Sequence, residues 1–180
     1  MYLEVNIMQI NVAQLLKSAQ GTTKIVQVDE TYEDEAGQPL PVRGELKLTL
    51  VNQRILAQGR LVEQVSLTCS RCLKPFVCAI PLDIEEEYYP IIDIHTGEKL
   101  PPPDESGAFT IDEHHELDLT EAIRQYKETA VPMKPLCCEN CAGICPRCGK
   151  DLNEGQCDCP TTEIDPRWAE LLKLKNRGKR

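Results

Sequence analysis

Nine of the ten cysteines in these 180 residues fall in close groups, Cys78 standing apart, and their spacing is the chemically informative feature of this chain. Cys69 and Cys72 enclose Ser70 and Arg71. Cys137 and Cys138 precede Cys141, Cys145 and Cys148 enclose Pro146 and Arg147, and Cys157 and Cys159 close the series. Two thiolates separated by two residues in a tight turn can reach one tetrahedral ion at about 2.3 Å, the geometry of a zinc knuckle. Gly149, directly after Cys148, suits the backbone reversal of such a knuckle, because glycine takes positive φ without steric cost. Counting then yields two four-sulfur sites. Cys145, Cys148, Cys157 and Cys159 can close a small ribbon-like site locally. Cys69 and Cys72 need two distant partners, which Cys141 together with Cys137 or Cys138 supplies; spacing alone favours Cys138. Such a pairing pins the C-terminal segment onto the Cys69 turn. Cys78, flanked by Val77 and Ala79, reads as a small buried hydrophobe.

Closed four-thiolate sites leave no open position for a substrate, so structural metal is expected and catalysis is not. Zinc ligation supplies of the order of 10 kcal/mol or more of folding free energy. That matters for residues 137–165, whose Ile144, Leu152 and Ile164 are too few for a core of their own. Eight thiolates around two Zn²⁺ would carry the formal charge from -9 to -13. A redox reading needs a pair at a helix start, where the thiol pKa is lowered. Here a hairpin surrounds one pair and prolines and glycines surround the other, so redox catalysis is not expected, whereas metal release on oxidation stays open. The three histidines, His95, His114 and His115, all lie in an acidic stretch. Neighbouring side chains in extended backbone point apart, so a weak surface metal site with Asp112, Glu113 and Glu116 is the lesser reading beside a solvated loop.

Residues 1–135 are expected to form a mainly antiparallel β domain that presents the first pair. Asn11 reads as the N-cap of a short helix through Val12, Leu15 and Leu16, ended by Gly21. The period then changes to two. Leu46, Leu48 and Leu50 alternate with Glu45, Lys47 and Thr49; Leu61, Val65 and Leu67 alternate with Arg60, Gln64 and Ser66; and Ile80, Leu82 and Ile84 form a third strand, which Pro81 suggests is an edge. From Asp83 to Asp118 twelve acids face one base, Lys99, and Pro101 to Pro103 sit among them, so 83–118 reads as an extended connector. A helix over 118–131 follows, with Leu119, Ala122, Ile123, Tyr126 and Ala130 on one face, a capping-box-like Asp118 and Glu121, and a stop at Pro132. Residues 136–165 form the cysteine-rich segment. In 166–180, Asp165 and Pro166 open a short helix through Trp168, Leu171 and Leu172, and the tail from Lys173 to Arg180 carries five bases and no acid.

The formal charge of -9, with 27% charged and 41% hydrophobic residues, is that of an ordinary globular chain and argues against wholesale disorder or a fibrous class. The start of the chain has no basic stretch followed by an apolar run, and no segment approaches ~18 uninterrupted apolar residues. No membrane association and a cytoplasmic location are therefore expected, where thiols stay reduced and paired cysteines more often bind metal. The fold class expected is α+β: an antiparallel sheet or partly open barrel with a few helices and a zinc ribbon-like C-terminal segment.

These residues also resemble a known family. Val65 to Phe76 around Cys69-Ser70-Arg71-Cys72, Glu116 to Ile123, Val131 to Cys137, Cys141 to Asn153, and Asp165 to Leu171 are similar, in order, to the bacterial and plastid YceD family, the large ribosomal RNA subunit accumulation proteins. The resemblance runs from about Ile25 to Leu174. It implies a role in accumulation of large-subunit ribosomal RNA and no enzymatic reaction. It also implies Cys69, Arg71 and Cys72 as one motif and Cys137, Cys141, Cys145, Cys148, Cys157 and Cys159 as a second, found in part of the family. Cys137 then replaces Cys138 as ligand, and Cys78 and Cys138 are departures from the family pattern.

Three functional classes follow. The first is a non-catalytic factor in large-subunit biogenesis that binds ribosomal RNA or a basic ribosomal protein. Its acidic balance disfavours phosphate contact except through a local patch, for which Arg71, Lys74, Arg147, Lys150 and the five tail bases are candidates. The second is a zinc-thiol redox sensor or regulatory interaction module, and the third an enzyme.

Overall fold

The computed structural model describes residues 8–33, 37, 39–103 and 107–159. Among these residues seven strands and two helices follow one another as β1 (Gln9–Asn11), α1 (Ala13–Leu16), β2 (Thr23–Glu33), β3 (Pro39–Val51), β4 (Arg54–Thr68), β5 (Pro75–Pro90), β6 (Phe109–Ile111), β7 (Glu116–Asp118) and α2 (Thr120–Ala130). They form one sheet in the order β1-β7-β6-β5-β4-β3-β2. Strands β2 to β5 make the expected antiparallel meander. Its β3–β4 turn is a two-residue hairpin with both Asn52 and Gln53 at positive φ, the backbone twist that matches paired strands.

The sheet is mixed and not purely antiparallel, because β6 runs parallel to β5. A parallel return needs a long crossover, and residues 91–108 provide it. The acidic stretch is accordingly narrower as a connector than expected: 83–90 complete β5, and 109–111 and 116–118 are strands. The sheet curls until its outermost strands approach each other, where Lys24 Nζ on β2 donates to the Asn11 carbonyl on β1 at 3.2 Å.

Period-two patterning explains the core. Leu46, Leu48 and Leu50 on β3, Ile55, Ala57 and Leu61 on β4, and Leu82, Ile84 and Tyr88 on β5 are buried on one face, each large side chain contributing roughly 1.5–3 kcal/mol. Helix α2 covers this face with Ala122 and Ile123 buried and Tyr126 partly so; the Tyr126 hydroxyl accepts from the Glu85 N–H and donates to the Glu85 carbonyl. Those contacts show that odd residues of β5 turn their backbone polar groups away from β4. Pro81 shares that parity, so its missing N–H falls on the side that carries no strand until Tyr88. Its strand is interior to the sheet order, but the proline itself stands at a local edge.

The helix starts differ from expectation. Asn11 Oδ1 accepts from the Ala13 N–H, and Asp118 Oδ1 from the Thr120 N–H, each a short Asx-type contact ahead of the first turn. Glu121 does not complete a capping box; it pairs with Arg124 and Gln125 on the exposed face. Helix α1 is only four residues long. Cys78 is partly exposed on β5 opposite Val65, packed on the margin of the core.

One polar residue interrupts the buried rows. Glu63 on β4 is fully buried, accepts from the Tyr32 hydroxyl at 2.9 Å and lies 3.9 Å from Lys127 Nζ on α2. Removing the cation takes one compensating charge from a carboxylate that is fully buried, so Lys127→Ala is expected to cost about 3 kcal/mol in chemical denaturation at neutral pH. A loss within ~0.5 kcal/mol, the range of ordinary surface substitutions, would show that Lys127 does not compensate this charge.

Candidate metal centres

The β4–β5 turn and the segment after α2 each build a knuckle by the same hydrogen-bonding scheme. In the first, Cys69 N–H donates to Lys74 O and Leu73 N–H to Cys69 O, both at 2.9 Å. In the second, Cys145 N–H donates to Lys150 O at 2.8 Å and Gly149 N–H to Cys145 O at 2.9 Å. The residue after each second cysteine sits in the left-handed region, Leu73 at φ 60 and Gly149 at φ 74. Glycine takes that conformation freely, whereas at Leu73 it costs about 1–2 kcal/mol.

These turns aim backbone N–H groups at sulfur. The N–H groups of Cys72 and Cys137 hold the Cys69 thiol down to about 6, and those of Cys148 and Arg147 do the same for Cys145, again to about 6. Cys141 is buried, which opposes ionisation, but the Asn153 amide and the Gly143 N–H outweigh this and lower its pKa. Their neighbours move the other way. Cys137 is an exposed residue, but desolvation of its sulfur among the other three and the adjacent Cys69 sulfur push that thiol up, and the adjacent Cys148 together with desolvation pushes Cys159 up to about 12. Four crowded thiols cannot all ionise without a compensating cation.

The sulfurs of Cys69, Cys72, Cys137 and Cys141 lie within 4.8 Å of one another, and so do those of Cys145, Cys148, Cys157 and Cys159. Sγ of Cys69 is 3.8 Å from that of Cys141, and Sγ of Cys72 is 3.7 Å from that of Cys137. Four sulfurs about 2.3 Å from one tetrahedral ion are roughly 3.8 Å apart, so the spacing fits such an ion. Each set could therefore hold a metal. Cys138 is the correction to the spacing preference. Its sulfur is 4.0 Å from that of Cys137 but stands outside the group, because the chain enters the turn with Cys137 facing the hairpin. His95, His114 and His115 belong to neither of the two groups found among the described residues.

The centres are tied to the sheet and to each other by residues whose roles spacing did not reveal. Arg71 Nη1 donates to the Cys141 carbonyl at 2.9 Å, and Ser70 N–H to the Pro135 carbonyl at 2.8 Å. Lys74, just beyond the first knuckle, pairs with Asp151 at 2.7 Å and with Glu154, both from the loop of the second. Asn153 donates from Nδ2 to Cys141 Sγ at 3.4 Å and accepts at Oδ1 from the Ala142 N–H at 2.7 Å. The one hint in the sequence is Asp151 two residues before Asn153, an Asx-turn spacing realised by the 2.8 Å bond from Asn153 N–H to Asp151 Oδ1. The last helix and basic tail expected over 166–180, and Ile164, lie outside the described residues.

A curled mixed sheet whose C-terminal segment is gathered around two four-sulfur groups defines a cysteine-centred β protein. The sequence pattern of the family described as large ribosomal RNA subunit accumulation protein YceD matches residues 57–175, and the chain belongs to that family. An uncharacterized protein of Mycobacterium tuberculosis strain H37Rv is 30% identical over 131 residues, covering 72% of this chain and 60% of that protein. An uncharacterized protein of Mycobacterium leprae strain TN is 25% identical over 137 residues, covering 74% and 59%. Large ribosomal RNA subunit accumulation protein YCED homolog 1, chloroplastic, of Arabidopsis thaliana is 31% identical over 62 residues, covering 34% of this chain and 19% of that protein. The chain thus spans about 60% of the length of the mycobacterial relatives it matches. No solved structure matches. No helix among the described residues is long and apolar enough to cross a membrane.

Protons and metal compete for the same thiolates. With Cys69 and Cys145 held near 6, thiolate is favoured above that pH and lost below it. Metal measured by elemental analysis after desalting is expected to stay bound near neutral pH and to leave progressively as pH falls below about 6. Metal content unchanged from neutral to strongly acid pH would argue against thiolate ligands.

Proposed function

We propose that this protein is a non-catalytic factor in large-subunit ribosomal RNA accumulation, hence in biogenesis of the large ribosomal subunit, and that it works in the cytoplasm by binding. Two zinc ions, one on Cys69, Cys72, Cys137 and Cys141 and one on Cys145, Cys148, Cys157 and Cys159, hold the C-terminal segment in place. All-sulfur tetrahedral donors suit zinc, whereas Mg²⁺ and Ca²⁺ take oxygen ligands. The observation that carries the reading is the closure of both groups. Each brings four thiolates to one position, which leaves no coordination site for a substrate, in a chain whose family is named for accumulation of an RNA and not for a reaction.

Surface charge favours a basic large-subunit ribosomal protein over ribosomal RNA as the direct partner. Of the four bases beside the knuckles, Arg71 is spent on the Cys141 carbonyl, Lys74 on Asp151 and Glu154, and Lys150 on the Gln156 carbonyl. Arg43, Arg54, Arg60 and Arg124 each pair with acids of the same surface. Phosphate binding draws mainly on Lys and Arg that can neutralise it, whereas an acidic body attracts a basic protein.

Depletion in the source organism is expected to lower large-subunit ribosomal RNA relative to small-subunit RNA and to shrink the large-subunit peak on sedimentation. An unchanged ratio would overturn the assignment.

A thiol sensor is the second reading, favoured by the exposed Cys137 with the Cys138 sulfur 4.0 Å away. It requires that mild hydrogen peroxide release zinc in step with loss of partner binding; zinc content unchanged under peroxide removes it.

A further inference from the structure

The loop closed by the second sulfur group, residues 149–156, lies between Cys148 and Cys157 and forms no helix or strand. Its contacts nonetheless reach the first group at three points. Asn153 Nδ2 lies 3.4 Å from Cys141 Sγ, and Asn153 Oδ1 takes the Ala142 N–H, so one amide grips both the sulfur and the backbone beside it. Leu152 N–H donates to the Gly143 carbonyl at 2.8 Å, and Ile144 bridges Asp151. Asp151 and Glu154 close on Lys74, two residues beyond Cys72. Asp151 Oδ1 also accepts from Asn153 Nδ2 at 2.7 Å, which orients the amide that faces the sulfur.

We infer that the two centres are thermodynamically coupled: metal at the second centre fixes the 149–156 loop, which delivers Asn153 as an outer-sphere donor to the Cys141 thiolate and so sets how tightly the first centre holds its ion. This rests on reading both sulfur groups as metal sites and adds a dependence between them. An N–H donor to a ligating sulfur stabilises the thiolate and orients it, and loss of such an outer-shell partner typically costs 10–100-fold in metal affinity. Loops without an apolar core are ordered by their ligands, so an empty second centre leaves Asn153 without a fixed position. Linkage makes the effect reciprocal, and filling the first centre tightens the second by the same factor.

Cadmium substitution tests this in the full-length chain, because ¹¹³Cd NMR gives each four-sulfur centre its own signal. The Cys157→Ser/Cys159→Ser variant identifies the signal of the second centre by its loss. In Asn153→Ala, EDTA is expected to remove the first-centre signal at roughly 10-fold lower concentration than in the parent protein, while both signals are present before EDTA is added and show that the fold is intact. Cys157→Ser/Cys159→Ser is expected to weaken the first centre about as much, although all four of its ligands remain, and adding Asn153→Ala to it is expected to change little further. First-centre retention unchanged in Asn153→Ala, or an undiminished Asn153→Ala effect once the second centre is destroyed, would overturn the coupling and leave two independent metal sites standing. Absence of both cadmium signals from the parent protein would overturn the metal reading itself.

Discussion

Four sulfurs from two distant parts of the chain converge beside the sheet, and the placement of the described residues after α2, 131–159, depends on that convergence. Cys69 and Cys72 belong to a turn whose ends are fixed by the long β4–β5 pairing, whereas Cys137 and Cys141 belong to a segment without regular secondary structure. Three of these four cysteines are buried, and among the described residues Phe76, Leu136 and Ile144 are the hydrophobic side chains packed around them. So small an apolar cluster cannot order thirty residues against their conformational entropy of about 1–2 kcal/mol each. The ion pairs of Lys74 are largely exposed and contribute little individually. A metal held by each sulfur group would add of the order of 10 kcal/mol or more.

The meander and the cysteine pairs were legible because both are periodic signals. Leu46, Leu48 and Leu50 could face inward together only on a strand, and Cys145 with Cys148 could close only locally. The parallel β6 was not legible. Three residues carry no measurable alternation, and parallel pairing is decided by where residues 91–108 lead the chain, a tertiary matter. Glu63 was hidden for the opposite reason. It occupies an inward position between Leu61 and Val65, but a charged residue in the pattern reads as outward unless its partners are known, and Tyr32 and Lys127 are far off in sequence. The choice between Cys137 and Cys138 was likewise beyond spacing. Adjacent residues differ by which side of the backbone they face, and that is set by the hairpin they meet.

Charge is distributed so that the surface is busy with itself. Arg43 with Asp29, Arg60 with Asp83, and Arg54 with Glu87 form cross-strand pairs on the outer face of the sheet, each of modest worth but each neutralising a base. Filled thiolate centres add negative charge to an already acidic chain. A net negative field of this kind acts on encounter rates more than on final affinity.

The two knuckles share one hydrogen-bonding scheme but differ in what holds them. Leu73 occupies a conformation that glycine would take without cost, and the turn tolerates it because β4 and β5 fix its ends. Gly149 has no such frame: among the described residues its turn is anchored by its own sulfurs, by Lys150 against Gln156, and by contacts to the first centre. The sheet can thus preform the first half of a metal site before the rest of the chain is in place, whereas the second site has little shape until the segment around it is held. A preformed pair that captures a disordered pair loses less entropy than two disordered pairs meeting, and this asymmetry makes the Cys69 turn the anchor and the C-terminal loop the follower.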